Sequence, residues 1–316
     1  MIGVCGFGHT GSGAVTDLLK EYKNVQVQSK KEFVLTYFPD GFEDLEYHLM
    51  KQRAKFFSSD IAILRFKKYM HAICHNEKSY YYKITNGNFK NIIDKYIQEI
   101  IQISWQGSWM YDDYIFDSFY KKLKYVILKN ISFLNKYSQR TINYSIEPEK
   151  FYSATEKTLQ EIYNYNNYKG LIILDQPFPA NNPINSMNLY GKDTKAIIVL
   201  RDPRDLYIQF KRTPKERFVP KDDINSFIQY FSKMYKQIKK DNRILYVQFE
   251  DLIYNYDKTV NKICKFCGID EKDHIDKYKY LDPKKSIKNT KLYVNCKEYE
   301  SDIKMIEKYM SEYLYD

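Results

Sequence analysis

The chain opens MIGVCGFGHTGSGAVTDLL: a short apolar run, then glycines among small polar residues, then apolar positions at helical spacing. Five of the 11 glycines in the whole chain fall within the first thirteen residues. Glycine adopts left-handed backbone without steric cost, so this concentration marks one tight turn between a buried strand over 2–7 and a helix over 13–22. Such a turn aims backbone N–H groups at one point and adds the positive end of a helix dipole. It is a site for phosphate or a phosphate-like anion.

Three readings of the turn compete. Gly6, Gly8 and Gly11 spell the G-x-G-x-x-G of dinucleotide sites, and Glu32 stands near the end of the second strand, where a ribose-binding carboxylate belongs. Gly6 and Gly11 also have Walker A spacing, but Ser12 holds the lysine position and Gly13 the Ser/Thr position. That pair cannot neutralise a triphosphate and hold magnesium together, so ATP or GTP chemistry is disfavoured. The third reading is a phosphate-bearing ligand with less terminal charge and no required metal.

Further along, "GLIILDQPFP", "KAIIVLRDPRDLYIQFKR" and "RILYVQFEDL" read as buried strands, the latter two running into helices, with helical patterns between and after them. Strand–helix alternation with apolar, β-branched strands predicts an α/β fold with a parallel sheet covered on both faces. From about 43 to 168 the pattern is mostly helical, which reads as a long insertion within a single domain spanning 1–316. Trp105 and Trp109 in "SWQGSW" offer either a sugar platform or helix packing.

Composition narrows the function classes. The chain has 316 residues, 44% of them hydrophobic and 28% charged, enough apolar material for a core and too well mixed for global disorder. The formal charge of +10 favours polyanions, but the lysines are dispersed and no nucleic-acid signature accompanies them. The 5 cysteines are odd in number and scattered, which fits a reducing compartment. Cys264 and Cys267 lie on a helical pattern ending at Gly268 and lack a second zinc-ligand pair, so core packing is expected and no metal. No apolar stretch approaches the ~18 residues of a membrane span, and no basic leader precedes the first apolar run. A cytoplasmic protein is expected.

Arg201 ends a buried strand in "VLRDPRD", with Asp202 placed as an N-cap, Pro203 at the first helical position and Asp205 in the first turn. Helix initiation accounts for the last three. A guanidinium at the mouth of a parallel sheet is suited to gripping phosphate.

At these residues the chain resembles the sulfotransferases that use 3′-phosphoadenosine 5′-phosphosulfate (PAPS), whose fold is similar to the P-loop nucleotide kinases. The resemblance covers about residues 1–35 and 170–316. "HTGSG" stands where the family binds the 5′-phosphosulfate, and "RDPRD" matches its Arg-x-Pro-x-Asp motif for the 3′-phosphate. "ILYVQFEDLIYNYDKTVNKICKFCGI" resembles the family's strand, turn and helix, and "LDPKKSIKNTKLY" its C-terminal basic loop.

The resemblance implies a nucleotide site from Gly8, His9, Thr10, Gly11, Ser12, Gly13 and Ala14, with Arg201, Gln209, Phe249, Lys284, Lys285, Ser286, Lys288 and Asn289. It implies PAPS as co-substrate, PAP as product, and a hydroxyl or amine acceptor; a glycan or glycolipid is expected by analogy alone. His9 replaces the usual basic residue of the 5′ loop, and Gln209 replaces a common serine. His9 would stabilise the leaving oxygen, while Asp175 or Glu32 would deprotonate the acceptor; the helical middle would shape the acceptor side. An NAD(P)-dependent Rossmann enzyme and a non-catalytic nucleotide- or glycan-binding protein are the alternatives.

Overall fold

Apolar strands that alternate with amphipathic helices bury their faces by forming a parallel sheet, and the computed structural model shows one. It describes residues 1–52, 55–109, 119–131 and 139–315. The strands are β1 (Ile2–Gly6), β2 (Val25–Gln28), β3 (Ile103–Gly107), β4 (Arg140–Tyr144), β5 (Leu171–Asp175), β6 (Lys195–Leu200) and β7 (Ile244–Gln248). The chain divides into two compact units, one of Met1–Phe38 with Leu159–Asp316 and one of Pro39–Thr158.

The first unit holds a parallel sheet in the order β2-β5-β1-β6-β7. Val4, Ile173, Ile197 and Val247 project from it into one cluster with Val15, Leu18, Leu252 and Ile263 of the covering helices. Cys264 is buried in that cluster with Cys267 packed against it, and the helix Tyr256–Cys267 ends at Gly268 in a left-handed conformation, as the sequence pattern predicts.

The strand order excludes the dinucleotide reading of the glycine turn. A Rossmann half pairs its first two strands, so that the carboxylate after the second reaches the ribose held at the first. Here β1 lies between β5 and β6, and β5 separates it from β2. Glu32, exposed, follows β2 and lies near Asp175 at the end of β5. The architecture is the P-loop-like α/β fold.

Among the described residues, the second unit is helical apart from one feature that the helical pattern conceals. Helices Phe42–Glu46, Lys55–Ile73, Tyr80–Ile84, Phe89–Ile100 and Phe119–Asn130 accompany an antiparallel pair, β3 with β4. Asp60, 2% exposed, ties β4 down by accepting from Arg140 Nη2 at 2.6 Å and the Asn143 N–H at 2.9 Å. Trp105 therefore stands on a strand, 39% exposed with its ring edge toward Trp109, and not in a helix-packing stripe. Residues 114–118 and 132–134 of "YIFDSFYKKLKYVILKNISFL" lie outside the described residues.

Candidate active site

The glycine turn is built as its composition requires. Gly8 and Gly11 have φ of 78° and 95°, and His9 between them is held at 53°, where a non-glycine residue is strained. A Cβ on Gly11 would run into the Phe249 ring. Beneath the turn, the buried Thr10 hydroxyl accepts the Phe7 N–H at 3.1 Å. Gly11 is the N-cap of the helix Ser12–Leu19 and no side chain caps it. Gln176, itself at a φ of 51°, braces the turn from β5: its Oε1 accepts the Gly6 N–H at 3.0 Å and its Nε2 donates to Ser12 Oγ at 3.1 Å.

Arg201, 4% exposed at the end of β6, joins two loops. Its Nη1 donates to the His9 carbonyl at 2.7 Å, and its Nη2 donates to the Asn289 carbonyl. Its Nε is buried with no hydrogen-bond partner among the described residues, and the guanidinium lies 5.2 Å from the Phe249 ring centroid. Burial lowers the guanidinium's affinity for its proton, against the charges of Asp205, Glu250 and Asp202. Asp202 is the N-cap, accepting the Arg204 N–H at 2.8 Å. Glu250 Oε1 accepts the Asp202 N–H at 3.0 Å, and burial pushes its carboxyl up to about 7.

These loops enclose a cavity of about 420 Å³. His9, Gly11, Ser12, Gly13 and Ala14 line it from the glycine turn, Arg201, Gln209 and Phe249 from the sheet side, and Ser286 and Asn289 from the C-terminal loop. Leu281, the first residue of the C-terminal loop motif, and Asp17 and Tyr280, which belong to no motif, complete the lining. Gly8 and Thr10 support the turn from outside the lining, and Lys284, Lys285 and Lys288 are exposed, with Lys285 3.5 Å from Asp282.

Two candidate catalytic groups have further partners. His9 Nε2 is 2.5 Å from Glu216 Oε2, and its ring meets Phe210 edge to face at 4.8 Å. Glu216 follows the Arg201 helix and belongs to no motif. Asp175 ends β5 beside Gln176, half-buried, and its carboxyl is pushed up to about 6 by burial and then by the nearby Glu32 charge, against Lys20. Asp175 and Glu32 do not line the cavity. Among the described residues no cluster of His, Cys, Asp and Glu has the makings of a metal site, and no helix is long and apolar enough to cross a membrane.

A parallel α/β sheet with a glycine turn after its first strand, and a buried arginine at the end of the neighbouring strand, defines a protein of the P-loop-like α/β class. The sulfotransferase domain family model matches residues 73–311, and the chain belongs to that family of transferases. Among solved structures, the sulfotransferase domain of the Synechococcus PCC 7002 olefin synthase is 12% identical with a TM-score of 0.45, covering 100% of this chain and 94% of that one. The sulfotransferase domain from the curacin biosynthetic pathway is 12% identical with a TM-score of 0.44, covering 100% and 98%. A sulfotransferase from Mycobacterium avium is 13% identical with a TM-score of 0.40, covering 99% and 75%. No curated protein matches the chain.

Proposed function

We propose that the protein transfers a sulfuryl group from PAPS to a hydroxyl or amine of a glycan or glycolipid acceptor. The observation that carries the reading is Arg201, a buried cation with an unused Nε, clasping the glycine turn and the C-terminal loop on either side of one cavity. A nucleotide with phosphates at both ends answers that arrangement. The 5′-phosphosulfate meets the N–H groups of the turn and the helix dipole, the 3′-phosphate meets Arg201 with Ser286 and Asn289, and the base lies toward Phe249.

PAPS supplies an activated sulfuryl group. In the reaction, the bond from sulfur to the 5′-phosphate oxygen breaks as the acceptor oxygen or nitrogen bonds to sulfur. The electron pair stays on the departing oxygen of PAP, where the turn N–H groups and His9 stabilise it. The acceptor proton passes to a carboxylate, Asp175 with Glu32 beside it, whose affinity for a proton is already raised by burial. The unpaired thiols, four of them buried, support a reducing, cytoplasmic setting.

Incubation with ³⁵S-labelled PAPS and a panel of glycans and glycolipids tests the reading. Label on an acceptor, with PAP released in equal amount, is the expected result. Tight binding of PAP without transfer to any acceptor would favour a binding protein.

A further inference from the structure

Glu21 is 0% exposed, carries no motif, and lies one helical turn beyond the cavity-lining Asp17. A buried carboxylate is costly unless its lone pairs are filled. Here one stretch of chain fills them. Oε1 accepts the Tyr280 and Leu281 N–H groups, each at 2.8 Å; Oε2 accepts the Tyr278 N–H at 3.2 Å and faces His274 Nε2 at 2.6 Å. The Glu21 carbonyl accepts the N–H groups of Ile275 and Asp276 at 3.1 and 3.2 Å. The His274 ring stacks on Tyr22 at 4.3 Å.

The other end of the same stretch is held likewise. Asp205, 1% exposed, accepts the N–H groups of Lys291, Leu292 and Tyr293 at 2.7, 2.6 and 3.4 Å. Between the two anchors, Tyr254 and Thr290 share a hydrogen bond of 2.6 Å, and Arg201 holds the Asn289 carbonyl. Residues 274–293 are thus a strap pinned at both ends by buried carboxylates. Tyr280, Leu281, Ser286 and Asn289 of the cavity wall belong to it.

We infer that Glu21 and Asp205 are positioning residues for nucleotide binding: they touch no nucleotide, and they fix the strap that forms one wall of its site. The inference rests on the PAPS reading above. Helix initiation does not require Asp205 in this role, because Asp202 already caps the helix. Nor does covering the core require a carboxylate at position 21, since an apolar side chain would do so without desolvation cost. What both carboxylates supply is a set of charge-assisted bonds to backbone N–H groups that no strap side chain satisfies.

Glu21→Gln is the direct test. The amide offers one acceptor where the carboxylate offers two and turns a donor toward N–H groups, so one arm of the strap is released. Calorimetric titration with PAP, steady-state kinetics in PAPS and limited tryptic digestion are read together on the full chain. The expected result is PAP affinity and KM for PAPS weakened about tenfold or more, with kcat at saturating PAPS changed by less than about threefold. Cleavage within 277–288 becomes faster and slows again when PAP is added. Asp205→Asn gives the same pattern.

Should Glu21→Gln fail to fold, His274→Gln and Tyr254→Phe loosen the strap from its surface side and carry the test. A folded variant with unchanged PAP affinity, or a loss confined to kcat, overturns the inference while leaving the PAPS reading standing. Wild-type protein that binds no PAP overturns both, and unchanged tryptic cleavage in Glu21→Gln then shows that Glu21 does not hold the strap.

Discussion

The Nε2 of His9 lies 2.5 Å from Oε2 of Glu216, a carboxylate 207 positions away in sequence. The contact places a hydrogen-bonding imidazole and its carboxylate partner where the resemblance puts the family's usual basic residue of the 5′ loop. His9→Ala is expected to lower kcat by about 100- to 1,000-fold, the cost of removing one donor to a developing oxyanion. His9→Lys restores most of it. Steady-state turnover of PAPS with a fixed acceptor checks both, and a His9→Ala enzyme with normal kcat removes His9 from the chemistry.

Gly11 and Gly13 separate backbone geometry from ligand space. Gly11→Ala puts a side chain at a φ of 95° and into the Phe249 ring, so thermal unfolding should show a loss of about 1–3 kcal/mol. At Gly13 a Cβ meets nothing within 4 Å, and the residue is helical. Gly13→Ala should match or slightly exceed wild-type stability, by up to about 1 kcal/mol. Its methyl group occupies the cavity, so PAP binding should weaken nonetheless.

Asp175 ties pH to both stability and turnover. Its folded-state value, about 6, lies above the 3.8 of a free carboxyl, so folding favours the protonated form. That contribution is full below about pH 4 and is lost as pH rises through about 6. Asp175→Asn should therefore be more stable than wild type at pH 8, by up to about 2 kcal/mol, with the difference gone at pH 4. In the proposed role of acceptor base, Asp175 must be ionised, so wild-type turnover should rise through about pH 6 and Asp175→Asn should lose it. Glu32→Gln removes a neighbouring negative charge and should move that midpoint downward. Denaturant melts and pH–rate profiles of the two variants decide the matter.

Local chemistry carried much of this into the sequence. The glycine turn, the Asp202 cap, the Gly268 helix stop and the buried Cys264 each follow from what neighbouring residues require of one another. Partners chosen across the fold leave no such trace. Gln176 follows a strand end without drawing notice in the sequence, and only with β5 beside β1 does it reach both Gly6 and Ser12. Glu21 and Asp205 read as helix-surface and first-turn acids, because nothing local shows that the chain from 274 to 293 returns to fill their lone pairs. The antiparallel pair of β3 and β4 is short and half polar, and its strands lie far apart in sequence, so its alternation is lost among helices.

The central claim is that the cavity spanned by Arg201 holds a nucleotide phosphorylated at both the 3′ and 5′ positions. Calorimetric titration of wild type and Arg201→Ala with PAP and with adenosine 5′-phosphate tests it directly. One charged hydrogen bond from the unused Nε, worth about 1.5–3 kcal/mol, predicts that wild type prefers PAP by about 10- to 100-fold. In Arg201→Ala the loosened turn and strap should weaken both nucleotides, and the preference for PAP over adenosine 5′-phosphate should collapse. Equal affinity of wild type for the two nucleotides, or a PAP preference that survives the loss of Arg201, would contradict it.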